Sequence, residues 1–146
     1  MMAYIRTGAP GWFRAVAVLL LVWGTAGVYA CFQQFRLGAD AMGPATDYDR
    51  ALYASLPIWY NCVYAIATGA GLFGALAVLV RSRLALPLFA LSLGAVVVQF
   101  GYLFLATDIA AAKGAGATLP FPLFIAAVAG AATWLSARAS ARGWIR

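Results

Sequence analysis

Apolar residues form four long stretches along the chain, separated by short polar segments. The stretches run from about 12 to 35, 57 to 80, 84 to 107 and 119 to 137. Each is long enough to cross a bilayer, because a spanning helix needs about 20 mostly apolar residues. No strand-like alternation points to a barrel, and backbone amides in lipid must be satisfied within their own segment. The pattern predicts an all-α membrane protein, a bundle of four antiparallel helices.

The connections between these stretches are short, except the first. The segment 81–83 is a hairpin, and the Gly- and Ala-rich segment 113–117 lies between the third and fourth stretches. In the longer connection 36–56, the Thr46 hydroxyl comes three residues before the carboxylate of Asp49, which is a variant of the capping box. Apolar side chains follow at helical spacing. We therefore expect a short helix that lies along the membrane surface.

Composition supports a membrane location, since 65% of the residues are hydrophobic and 10% are charged. Soluble domains have about 45–50% and about 25%. One side of the predicted membrane carries cations and no acids, and these are Arg6, Arg14, Arg81, Arg83, Arg138, Arg142 and Arg146. The other side carries both signs, and these residues are Arg36, Arg50, Lys113, Asp40, Asp47, Asp49 and Asp108.

The positive-inside rule places the cation-rich side in the cytoplasm. It predicts that both termini are cytoplasmic and that both larger loops, including the short surface helix, are exoplasmic. The net charge of +6 is then explained by topology and by attraction to anionic lipids. Membrane lipids are the expected partners, and no nucleic acid is required.

Groups that carry common enzyme chemistry are missing from the sequence. The chain has no His, and its four acidic residues are all Asp, of which only Asp108 lies next to a span. Histidine-ligated haem, HExxH zinc chemistry and a Ser-His-Asp triad are therefore excluded within this chain. Intramembrane proton relays also use Asp, Glu or His. We expect no catalytic residue, no metal site and no cofactor, and we do not expect an enzyme.

Glycines in the second and fourth stretches are spaced for helix packing. Gly69, Gly71 and Gly74 match the G-x-G-x-x-G pattern, but they lie inside an apolar helix with no preceding strand. Small residues four apart allow helices to approach closely in membranes. We interpret these glycines, with Ala126 and Gly130 in the fourth stretch, as packing positions.

Amide and phenol groups gather in the predicted exoplasmic half of the spans. The candidate ligand-binding residues are Asn61, Gln99, Tyr102, Trp59, Tyr64 and Gln33. One interpretation is a cluster of interhelical hydrogen bonds with a belt of interfacial aromatic residues. The other is an exoplasmic pocket for a neutral polar or amphiphilic molecule, such as a sugar, a quinone or a lipid headgroup. The sequence leaves both open.

Two further sets of residues have a defined spacing. Cys31 and Cys62 are predicted at matching depths in adjacent spans; we expect free thiols, with a disulfide as the alternative. Arg138, Arg142 and Arg146 repeat every four residues, which predicts one basic stripe on a helix continuing from the fourth span. With Arg81 and Arg83 they are expected to contact lipid headgroups.

The loop-to-helix segment 51–59, the hairpin 81–83, the segment 85–93 and Gln99 form a recognisable set. In these features the chain resembles a family of small uncharacterised four-span bacterial inner-membrane proteins, which often carry the label "sugar transporter". The resemblance covers most of the chain and implies a bacterial inner-membrane location, but no mechanism. It suggests five residues for testing, which are Tyr53, Pro57, Trp59, Ser92 and Gln99.

Two functional classes are compatible with these features. The first is a non-enzymatic accessory or assembly subunit that packs against a larger membrane complex or against another copy of itself. Small loops, small-residue helix faces and the lack of catalytic groups favour it. The second is an oligomeric transporter, channel or binder for a small neutral polar or amphiphilic molecule. The prolines lie near span starts rather than at the midplane, where transporters often have broken helices.

Overall fold

The computed structural model describes residues 8–146, apart from the side chain of Met42, and within that part it contains helices and loops but no strand. The helices are α1 (Gly11–Leu37), α2 (Asp47–Ser55), α3 (Ile58–Leu79), α4 (Ala85–Ala106), α5 (Ile109–Lys113), α6 (Ala115–Thr118) and α7 (Pro120–Ala141). A short 3-10 helix, Gly38–Met42, continues α1. Arg6, which contributes to the predicted orientation, lies outside the described residues.

Four of the helices, α1, α3, α4 and α7, are long and apolar enough to cross a membrane. This confirms the prediction of an all-helical chain with four candidate spans. The observed ends lie within two residues of the predicted ones, except at the end of α7. That helix continues to Ala141 because its last turns are rich in alanine, a strong helix former.

The prediction that Arg138, Arg142 and Arg146 form one stripe on a helix continuing from the fourth span is wrong, because α7 ends at Ala141 and the chain then turns back. Gly143 adopts a φ of +71°, which glycine tolerates, and the Trp144 amide donates to the Ala139 carbonyl at 2.9 Å. This is the hydrogen bond that ends a helix in a Schellman motif. Arg146 therefore does not share a helix with Arg138 and Arg142.

The chain end is held against the turn between α3 and α4. The Arg146 amide donates to the Arg81 carbonyl at 2.7 Å, and the Arg83 amide donates to the Arg146 carbonyl at 2.8 Å. The Arg81 guanidinium donates to the Trp144 carbonyl at 2.8 Å. Trp144 and Ile145 are buried in the core together with Phe13 of α1. We call residues 143–146 the C-terminal hook.

Long helices pack in the order α1, α3, α4, α7, in which each contacts the next. The closest approach joins α1 and α3: a Cβ added at Gly24 would lie 2.9 Å from the Leu72 Cα. At Gly74 an added Cβ would lie 3.0 Å from the Phe89 ring of α4. Both glycines are needed because the helix axes are too close for a larger side chain.

The other glycines predicted for packing divide into two groups. A Cβ at Gly71 would lie 3.4 Å from the Ser92 hydroxyl, so Gly71 also faces α4. Around Gly69 and Gly130 no atom lies within 4 Å of an added Cβ among the described residues. These two positions therefore make no close helix contact within residues 8–146, and Ala126 is only partly buried beside a smaller core cluster.

The short helix α2 begins with the capping box that the sequence predicts. The Asp49 amide donates to the Thr46 hydroxyl, and the Thr46 amide donates to the Asp49 carboxylate at 3.0 Å. Two polar contacts then join α2 to the segment after α4. The Lys113 ammonium pairs with Asp49, and the Tyr48 hydroxyl donates to Asp108 at 2.7 Å.

Candidate functional site: a cavity between the long helices

A cavity of about 220 Å³ lies among the four long helices, all of which contribute to its wall. Most of the wall is apolar, with Phe89 and Phe100 from α4 facing Leu20 from α1 and Ile125 from α7. An engineered cavity of about 150 Å³ in another protein binds benzene. The space is therefore large enough for a ring-sized group.

Four polar side chains interrupt this apolar wall: Tyr64, Thr68, Ser92 and Gln99. Two of these side chains already donate hydrogen bonds to backbone carbonyls of α3. The Ser92 hydroxyl donates to the Ala67 carbonyl at 2.7 Å, and the Thr68 hydroxyl donates to the Tyr64 carbonyl at 3.0 Å. They stabilise the packing of α3 and its contact with α4.

Among these four side chains, the Gln99 amide has the largest hydrogen-bonding capacity. Its side chain is only 5% exposed, and the neighbouring polar group is the Tyr60 hydroxyl. An amide offers two donors and two acceptor positions, and burying them unpaired is costly. Gln99 lines the cavity, whereas the buried side-chain atoms without a hydrogen-bond partner among the described residues are Gln33 Oε1 and Ser136 Oγ. Gln99 and the partly buried Tyr64 therefore present hydrogen-bonding groups to the cavity.

Of the predicted ligand-binding residues, only Gln99 and Tyr64 line this cavity. Asn61 instead joins neighbouring helices. Its side-chain oxygen accepts from Gln34 of α1 at 3.1 Å, and its amide donates to the Tyr53 hydroxyl of α2 at 3.2 Å. The position of Asn61 thus fits an interhelical hydrogen-bond cluster. Sequence spacing did not separate these two roles, because it gives depth but not the direction of each side chain.

The aromatic residues at the α2 end form a cluster that borders the cavity through Tyr60, the neighbour of Gln99. The rings of Trp59 and Tyr102 meet edge-on with centroids 4.9 Å apart, and Tyr60 lies 6.0 Å from Tyr102. Gln33 donates to the Tyr29 hydroxyl at 3.2 Å within α1. The six predicted residues are therefore divided among four places, namely the cavity wall, the interhelical contact of Asn61, the aromatic cluster and the pair within α1.

Lining residues from α1 and α7 were missed by sequence reasoning. Among the residues that line the cavity, those exposed at its rim are Trp23 and Ala26 of α1 and Phe121 of α7. The Trp23 ring meets the Phe124 ring of α7 edge-on at 5.5 Å. A signal for α1 was present in its small residues Ala17, Gly24 and Cys31, spaced by seven, which are all buried. On α7 the lining residues from Phe121 to Ala132 lie three or four apart on one helix face, and this signal was also present in the sequence.

Both cysteines are free in the structure. Cys31 is buried and lies beside Thr68, whereas Cys62 is exposed. Equal depth does not bring the two thiols together, because they lie on differently buried faces of their helices. The structure therefore agrees with the expectation of free thiols, and the alternative disulfide between Cys31 and Cys62 is not formed.

The predicted headgroup-binding arginines lie at the end of the bundle opposite α2. Arg81, Arg83, Arg138, Arg142 and Arg146 are all exposed. Two of them rest on indole rings, since Arg142 lies 5.3 Å from the Trp144 centroid and Arg138 lies 5.4 Å from that of Trp134. Within residues 8–146, no group of three or more His, Cys, Asp or Glu side chains is placed to hold a metal ion.

Comparison with known proteins returned no match to this chain, either among family models, among curated proteins or among solved structures. The resemblance to the four-span family therefore stays a prediction from the sequence.

Proposed function

We propose that the chain crosses the bacterial inner membrane four times as an antiparallel bundle, with both termini in the cytoplasm and α2 at the exoplasmic surface. Contacts that join successive helices support this arrangement. Along α1 and α3, Gly24 pairs with Leu72 and Gln34 pairs with Asn61, so residue numbers rise on one helix as they fall on the other. The division of the charges, with Arg81 and Arg83 opposite the aspartates, supports the orientation.

We further propose that the protein is a non-enzymatic binding protein for a small neutral amphiphile, held in the cavity between the long helices. The observation that carries this proposal is the buried Gln99 amide in an otherwise largely apolar wall. Ligand sites are typically apolar cavities with a few polar groups that fix orientation. Since the described lining has no charged side chain, it is suited to an uncharged molecule.

The experiment is native mass spectrometry of the protein purified in a mild detergent. We expect a retained neutral adduct on the wild type, and a loss of roughly tenfold in occupancy in Gln99→Leu, because one lost hydrogen bond to a buried group is worth about 1–3 kcal/mol. Gln33→Leu is the matched control, because it removes an amide that does not line the cavity. Equal occupancy in both variants, or no adduct on any protein, would contradict the proposal.

A second candidate is an accessory or assembly subunit that packs against another membrane protein or another copy of this chain. Four glycines with open space around an added Cβ favour it, namely Gly69, Gly94, Gly101 and Gly130. Small residues on such faces allow a partner helix to approach. The test is co-purification with defined stoichiometry: Gly94→Leu and Gly101→Leu should release the partner, and retention of the partner by both variants would reject these faces as the interface.

A further inference from the structure

Resting on the proposed binding function, we propose that the ligand enters sideways from the bilayer between α1 and α7. We further infer that it carries a ring-sized head with carbonyl acceptors on an apolar chain, which is the chemistry of a membrane quinone. The head would occupy the cavity beside Gln99, and the chain would leave between α1 and α7. Three observations lead to this arrangement.

The first observation is the position of the opening. The row of packed helices begins with α1 and ends with α7, so these two helices are not neighbours in the row. Of the lining residues, the exposed ones are Trp23, Ala26 and Phe121, so we place the opening here, beside the ring contact that joins Trp23 to Phe124. These side chains belong to helices whose outer faces are apolar, and in a bilayer they face lipid chains. A molecule dissolved in the bilayer reaches this opening without passing through water.

The second observation is the chemistry of the wall. Gln99 supplies amide donors and Tyr64 supplies a hydroxyl donor, and both line the cavity. Carbonyl oxygens on a neutral ring would accept from these groups, and no charge is present in the described lining to pair with an ionised head. Phe89 and Phe100 supply aromatic surface, against which a flat ring packs favourably.

The third observation is size. The volume of about 220 Å³ is suited to a ring-sized group rather than to a whole lipid. The apolar chain of the ligand must therefore lie elsewhere. The opening between α1 and α7 leads it into the hydrocarbon core, where an alkyl chain carries no transfer cost.

The experiment measures binding of decylubiquinone to the full chain in nanodiscs, through quenching of tryptophan fluorescence. Trp23 lines the cavity and is the expected reporter, so Trp23→Phe should remove the saturable part of the quenching. Ala129→Leu places a larger side chain in the wall and should weaken binding roughly tenfold, the equivalent of about 1.4 kcal/mol. Ala127→Leu is its control, because Ala127 is exposed and lies outside the lining.

Entry is tested by stopped-flow kinetics. Ala26→Phe narrows the opening and should slow association, whereas Val22→Phe, an exposed residue one turn earlier and outside the lining, should leave the rate unchanged. Equal rates in the two variants would overturn the sideways entry. Absence of saturable quenching, with the native mass-spectrometry adduct retained, would overturn the quinone-like class alone. Loss of that adduct as well would overturn the binding function itself.

Discussion

Gly24 shows what a single residue decides in this bundle. A side chain there has no room, since an added Cβ would lie 2.9 Å from the backbone of Leu72. Sequence reasoning chose glycines of α3 and α7 because they form four-residue repeats. It overlooked Gly24, which lies on α1 seven residues after Ala17 and seven residues before Cys31, all three of them buried. Gln99 was foreseen as a polar group, but its place in a cavity wall depends on which helices surround it.

Substitution of Gly24 by Ala should destabilise the protein by about 1–3 kcal/mol, because the added methyl group overpacks the contact between α1 and α3. Gly69→Ala is the matched control and should cause no loss, since nothing lies within 4 Å of its added Cβ among the described residues. Thermal unfolding in detergent measures both. A melting temperature for Gly24→Ala equal to that of Gly69→Ala would mean that the two helices are not this close.

At the scale of elements, the bounds of the long helices were predictable, except for the end of α7. Long apolar runs mark the spans, and Thr46 with Asp49 marks the start of α2. The course of the chain after α7 could not be foreseen, because Arg138, Arg142 and Arg146 repeat as they would on a helix. What ends α7 is Gly143 in a left-handed conformation, together with the burial of Trp144.

The C-terminal hook should contribute strongly to stability through Trp144, which is 5% exposed and packs against the rings of Trp12 and Phe13. We expect Trp144→Ala to cost about 3–5 kcal/mol, the usual cost of truncating a buried aromatic residue. Trp134→Ala is the control, as Trp134 is 60% exposed. Denaturant titration compares the two variants, and similar losses would show that the hook is not part of the core.

The ion pair between Asp49 of α2 and Lys113, in the segment after α4, should make the stability of the folded state depend on pH. The Lys113 ammonium, with hydrogen bonds from Thr46, lowers the pKa of Asp49 from 3.8 to about 2. A carboxylate with a lowered pKa stabilises the folded state above pH 3.8, and this contribution is lost as the pH falls towards 2.

Lys113→Gln removes the pair and leaves the capping box of α2 in place. The difference in melting temperature between the wild type and Lys113→Gln should therefore be present at pH 6 and shrink as the pH falls towards 2. Differential scanning fluorimetry across this range measures it. A difference that stayed constant with pH would show that Asp49 and Lys113 do not pair.

At the scale of the whole molecule, the sequence predicted four candidate spans, because crossing lipid requires long apolar helices whatever their neighbours are. It did not predict the order in which they pack, since apolar helices carry little information about their partners. The cavity depends on that order, because all four long helices contribute to its wall, and the proposed opening lies between α1 and α7 at the two ends of the row. The predicted exoplasmic pocket, with Asn61, Gln99 and Tyr102 together, therefore differs from the cavity in the structure.

Entry from the bilayer requires that the four helices cross the membrane, and topology reporters test these crossings and their orientation most directly. Green fluorescent protein and alkaline phosphatase are fused in turn after Arg146 and after Gly114. We predict fluorescence without phosphatase activity after Arg146, and phosphatase activity without fluorescence after Gly114. The reverse pattern, or the same compartment for both positions, would contradict an even number of crossings with an exoplasmic α2 end.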